Sequence, residues 1–105
     1  MTAEVSAAGL GCDGSNYWNQ CWRHSAAFLT TPPLREGGPE KLLEATCSGN
    51  SIDVVSSHHA AYNAQQKAIG KDDFRQIPSG VTGVEERMAV LWQKAVNSGK
   101  ITRTK

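Results

Sequence analysis

No stretch of this 105-residue chain approaches the ~20 consecutive apolar residues that a membrane-spanning helix needs. The opening Met1-Thr2-Ala3-Glu4 also lacks the basic and apolar regions of a secretory signal peptide. The expected compartment is therefore the cytosol, with no membrane partner. An excess of one charge is missing too. Eleven Lys and Arg stand against 10 Asp and Glu, and the net charge of +1 gives no field that would draw nucleic acid or an acidic surface. Lys100, Arg103 and Lys105 make 100–105 a small basic tail, which reads as a flexible, solvated terminus. No Cys-x-x-Cys pair occurs. Cys12, Cys21 and Cys47 are an odd count spaced nine and twenty-six apart, which suits reduced, partly buried thiols better than a disulfide framework. Cys21, His24, His58 and His59 could be imagined around zinc, but a single Cys-x-x-His spacing is weak support for that.

What is present fits one small domain over 1–105. A compact fold of this length buries roughly 60 to 70% of the surface its unfolded form exposes, so it stands near the lower limit of independent stability. Positions 26–31 form a short apolar, β-tolerant run stopped by Pro32-Pro33, and read as a strand ending at a rigid turn. Pro39 suits the first position of a helix that carries Leu42, Leu43, Ala45 and Cys47 and closes at Gly49. The β-branched run 52–57 is a second strand. Strand, helix and strand in this order predict a right-handed βαβ crossover with the two strands parallel.

A second helix is predicted from the capping box of Thr82 and Glu85, the helical spacing of Val84, Met88, Leu91 and Ala95 with Trp92 beside them, and Gly99 past the end. Between strand and helix lies a long loop, 58–81. Loops of that length inside a domain are usually functional. In the first third, 3–10 reads as a strand entering a glycine turn, with Ser15 capping a short helix that carries Tyr17, Trp18, Cys21 and Trp22. Gly9, Gly11 and Gly14 match the spacing of a dinucleotide fingerprint, but the acidic ribose ligand downstream is not evident. The aromatic cluster reads as core packing.

The blocks Leu10-Gly11-Cys12-Asp13-Gly14-Ser15-Asn16-Tyr17-Trp18, Trp22, Ala26-Ala27-Phe28 and Pro32-Pro33-Leu34-Arg35 occur in that order. A long block then runs from Gln66 to Trp92 through Gly70-Lys71-Asp72-Asp73-Phe74 and Ile77-Pro78-Ser79-Gly80. Together they resemble the dihydropyrimidinases, hydantoinases and their non-catalytic relatives, the dihydropyrimidinase-related (collapsin response mediator) proteins. The resemblance spans about residues 3 to 100. It implies an α/β fold that is part of a (β/α)8 TIM barrel of the metal-dependent amidohydrolase type, about its last quarter.

In the catalytic relatives two zinc ions are held by a His-x-His pair, a carboxylated Lys, two further His and an Asp. The bridged hydroxide attacks a cyclic amide, and the Asp takes its proton. Carried over one position at a time, the resemblance places the Asp ligand at His58, a substrate-contacting backbone position at Thr31, and the substrate-contacting Asn of an Ile-Pro-Asn-Gly turn at Ser79. His59 matches a His of the non-catalytic branch. No His-x-His occurs in this chain. The expectation is a non-catalytic dihydropyrimidinase-related chain, with no catalytic residue and no cofactor of its own. It would act as a cytosolic adaptor toward tubulin and signalling partners, associating with itself or with full-length family members. The alternatives are a truncated cyclic amidohydrolase and a stretch that does not fold.

Overall fold

The computed structural model describes residues 1–49 and 51–104. Two short strands, β1 (Glu4–Ser6) and β2 (Val54–Ser56), pair in parallel with Val5 opposite Val55. The Ser56 hydroxyl donates to the Glu4 carboxylate across the pair. β1 is shorter than the expected strand at 3–10, because the Ser6 hydroxyl accepts from Gly9 N at 3.2 Å and caps a helix, α1 (Ala7–Gly11). Ala7 and Ala8, the best helix formers, follow that cap directly. A 3-10 turn, Gly14–Trp18, comes next. Its cap is Asp13 rather than Ser15. The Asp13 carboxylate accepts from Ser15 N at 2.8 Å and from Gly37 N at 3.0 Å. These main-chain donors hold its pKa below the ordinary value of 3.8. The Gly9, Gly11, Gly14 spacing serves packing here: a Cβ on Gly14 would lie 2.6 Å from the Arg35 carbonyl carbon.

The strand expected at 26–31 is not formed. Ala26 and Ala27 instead finish α2 (Trp22–Ala27), Phe28 keeps a helical conformation, and Leu29 N bonds back to Ala26 O at 3.2 Å. Helix propensity in the alanines outweighs the apolar pattern at this point. Val54–Ser56 therefore pairs with the N-terminal segment, and the parallel crossover is far longer than the predicted one. The helix read from Pro39 to Gly49 is present as α3 (Gly38–Ser48), closed by Gly49 in the left-handed conformation, φ 69°. Part of the 58–81 loop folds into short helical turns. Asn63 and Gln66 form a reciprocal capping box at 2.8 Å each way, opening α4 (Ala64–Lys67). Two 3-10 turns, Ala68–Gly70 and Phe74–Gln76, follow it.

The last helix starts later than the Thr82 and Glu85 pattern predicts, and its cap is different. α5 (Arg87–Leu91) has no side-chain cap and continues into a π-helical turn, Trp92–Val96. The donors ahead of it, Gly83 N and Val84 N, both go to His59 Nδ1, at 3.1 and 3.3 Å. The expected apolar stripe splits. Leu91 and Ala95 join the core, while Val84, Met88 (66% exposed) and Trp92 face outward.

The core gathers Val5, Leu10, Leu43 and Ala95, with Leu42, Val55, Val90 and Leu91 packed around them. Among the described residues, Leu10 is the one large side chain fully buried, at 1% exposure. Aromatic packing is weaker than expected: Trp18 is 79% exposed and donates to the Glu36 carboxylate at 2.8 Å. The Cα radius of gyration, 14.6 Å, exceeds the ~13 Å of a compact chain of this length. A two-stranded sheet with two outer edges is marginal by itself. Val54 is accordingly exposed, and Val55, Phe28 and Leu29 are half-buried.

Candidate functional site

Two loop segments meet beside the sheet. The first leaves α2 at Phe28 and runs through Thr31, whose peptide bond to Pro32 is cis. The second is the end of the 58–81 loop, Pro78-Ser79-Gly80. The Ser79 hydroxyl donates to Thr31 Oγ1 at 3.1 Å, so the structure brings together the two residues read as substrate positions. Both are exposed. They line a cleft of about 590 Å³ together with Tyr17, Trp22, Phe74 and Arg75. Arg75 is paired with Asp73 at 3.0 Å on the surface, a contact worth little stability but enough to hold the Asp73 carboxyl below its ordinary value.

His58 does not share that cleft. It lines a second one, of about 650 Å³, with Glu4, Ser6, Pro32 and Arg35. Its backbone is in the left-handed region, φ 44°, which costs a non-glycine residue energy and ends the extended path of β2. The turn at His58 carries the next ring, His59, to the Gly83 and Val84 amides. His59 Nδ1 accepts both, which puts the proton of a neutral ring on Nε2.

The donor set does not fit a pair of zinc ions. Among the described residues, no three His, Cys, Asp or Glu side chains are gathered closely enough to hold a metal. Glu4 accepts from Ser56, His59 Nδ1 is engaged by two amides, and His24 Nε2 lies 3.0 Å from Asn16 Oδ1. Cys21, His24, His58 and His59 are not drawn together either.

One residue of this region was not legible as functional. Lys67, on α4, is only 3% exposed, and its ammonium donates to three main-chain carbonyls: Leu29 O at 3.1 Å, Pro78 O at 2.6 Å and Gly80 O at 3.0 Å. The Tyr62 ring lies on another side, 5.6 Å from Nζ. Burial pushes the Lys67 pKa below its ordinary 10.5. The sequence signal that could have led to it is the Asn63-x-x-Gln66 box, which marks the start of a helix inside the loop at Ala64, three residues before Lys67.

Over 101 residues the chain is 48% identical to a dihydropyrimidinase of Dictyostelium discoideum, covering 94% of this chain and 20% of that protein. A rat dihydropyrimidinase is also 48% identical, over 93% of this chain and 19% of its own length. Human dihydropyrimidinase-related protein 5 is 38% identical, over 96% of this chain and 18% of its own. In structure the chain is similar to a dihydropyrimidinase from Brevibacillus agri, with a TM-score of 0.86 at 31% identity, covering 97% of this chain and 22% of that one. The chain belongs to the dihydropyrimidinase and hydantoinase family. It spans about a fifth of the length of these family members. No family model matches the chain. The relatives include dihydropyrimidinases and dihydropyrimidinase-related proteins alike, so membership alone does not choose between the two. Among the described residues no helix is long and apolar enough to cross a membrane.

Proposed function

We propose that this chain is a non-catalytic member of the dihydropyrimidinase family, a part of a (β/α)8 barrel that binds partners and does not hydrolyse cyclic amides. The observation that carries this reading is His58. By resemblance it takes the place of the enzymes' Asp ligand, and among the described residues it belongs to no group of three His, Cys, Asp or Glu side chains that could hold a metal. Exchanging a carboxylate for an imidazole removes one negative charge from the surroundings of a dication pair and supplies a different proton acceptor. Lys67 offers no substitute for the carboxylated Lys, since its nitrogen is enclosed by three carbonyls. Thr31 and Ser79 are then vestigial substrate positions that still touch. The role proposed is that of the dihydropyrimidinase-related branch: a cytosolic adaptor that assembles with full-length family chains and with tubulin.

The test is an assay of dihydrouracil ring opening by the purified chain with added zinc. No turnover above buffer is expected, and metal-dependent turnover would overturn the reading. A second reading, a piece of a true dihydropyrimidinase, draws on the higher identity to the two dihydropyrimidinases, 48% against 38% for the related protein. Turnover in that assay would favour it. A third, a stretch that never folds, would give a flat melting curve.

A further inference from the structure

Lys67 is nearly inaccessible and has no acidic partner among its hydrogen bonds, an arrangement that needs a reason. A buried ammonium is costly unless every proton finds an acceptor, and long cationic side chains ordinarily reach for water. α4 is only four residues long, so no helical periodicity forces this side chain inward. All three ammonium protons have a carbonyl of their own, at 3.1, 2.6 and 3.0 Å. The charge is thus met entirely by main-chain dipoles.

The origin of those carbonyls matters most. Leu29 lies two residues before Thr31, and Pro78 and Gly80 flank Ser79 on either side. The ammonium therefore bridges the same two segments whose hydroxyls meet in the cleft. Two other bonds join them here: Gly80 N donates to Leu29 O at 3.0 Å, and Ser79 donates to Thr31 in an exposed contact. An exposed hydroxyl pair competes with water and is weak in net terms, whereas charge-assisted bonds out of water are the stronger kind.

We propose that Lys67 is a positioning residue: its ammonium acts as a tethered cation inside a cage of three main-chain carbonyls, and that cage sets the separation of Thr31 and Ser79. The cage selects a primary ammonium, which offers three N–H donors to three acceptors. The same enclosure excludes Lys67 as a nucleophile or metal ligand in this state. The inference does not depend on whether the chain hydrolyses anything. Its readout is an amide exchange rate, while the reading above fails on turnover.

The experiment is hydrogen exchange on the full chain and on Lys67→Ala, which deletes everything beyond Cβ. The variant is expected to lose protection of the Gly80 amide by about tenfold or more while Val54 N, bonded to Ala3 O at 3.1 Å, keeps its own. Added n-propylammonium chloride, which replaces the deleted atoms, is expected to restore Gly80. Tetramethylammonium chloride at the same ionic strength, with charge but no N–H, is expected to restore nothing. Unchanged protection in Lys67→Ala, or equal restoration by both salts, would overturn the proposal. Should the variant unfold throughout, the unaltered chain decides with isotope-labelled lysine. The Lys67 ammonium protons are expected to exchange slowly enough to be observed and to correlate with the carbonyl carbons of Leu29, Pro78 and Gly80; their absence would overturn it equally.

Discussion

Around Leu10 the chain is held by apolar burial, with Val5, Leu43 and Ala95 closing on a sheet of two strands. Around Lys67 three main-chain carbonyls from two segments gather on one charge. The first region is non-directional and tolerates modest shape change, whereas the second depends on three acceptors lying at hydrogen-bond distance. The fold therefore keeps its scaffold and its site under separate control. Damage to one should be readable without damage to the other only when it begins at the site.

The largest expected effect lies in the scaffold. Leu10→Ala removes the one large side chain that is fully buried among the described residues, at a cost of about 2–5 kcal/mol. For a chain of this size that is a large share of the whole stability, roughly 5–15 kcal/mol. A melting temperature lower by about 10 °C or more is expected, read in the site as well as in the core. A variant that kept a native spectrum and melted within a few degrees of the parent would mean that burial is not what holds this half.

A smaller effect is expected at the site. A Cβ on Gly80 would lie 2.4 Å from Ala60 O and 2.6 Å from Ala60 Cβ, a clash the main chain must relieve by shifting. Gly80→Ala should cost about 1–3 kcal/mol, as overpacking does. Limited proteolysis should then cut within 58–81 while the 38–48 helix stays intact. Simultaneous cleavage in both regions would erase the distinction between them.

The smallest effect sharpens the same contrast through pH. Burial lowers the Lys67 pKa from 10.5, so between that lowered value and 10.5 the unfolded chain holds more protons than the folded one. The stability owed to this group alone therefore rises as pH climbs through that window. The neutral amine still offers two donors to three carbonyls, so the cage loosens at one corner while the chain as a whole is stabilised. The urea midpoint of the parent should climb relative to that of Lys67→Met as pH approaches 10.5. Parallel curves for the two would show that Lys67 is not desolvated.

Much of this scaffold was legible in the sequence, because its signals are local. Pro39 and Gly49 bound α3, Val54 and Val55 mark β2, and the irregular block from Gln66 to Trp92 pointed to the family. Other parts were misread where two local rules competed. Ala26 and Ala27 belong to α2 although Phe28, Leu29 and the double proline suggest a strand, and Ser6 capped a helix where the pattern ran on as β. Thr82 caps nothing here: the Gly83 and Val84 amides ahead of the helix go to a residue more than twenty positions away, His59, which no reading of a window around Thr82 could supply. Thr31 and Ser79 were singled out only through the resemblance, and their contact is a fact of the fold. Lys67 was missed because a lysine on a short, polar helix carries no sign of burial, and its acceptors are backbone groups that any sequence possesses.

The central claim is that these residues supply no binuclear centre. It is tested most directly by the zinc content of the purified chain after dialysis against a zinc buffer, measured per mole of protein. Substoichiometric zinc, unchanged in His58→Ala, is the predicted result. Two zinc ions per chain, with at least one lost in His58→Ala, would contradict it.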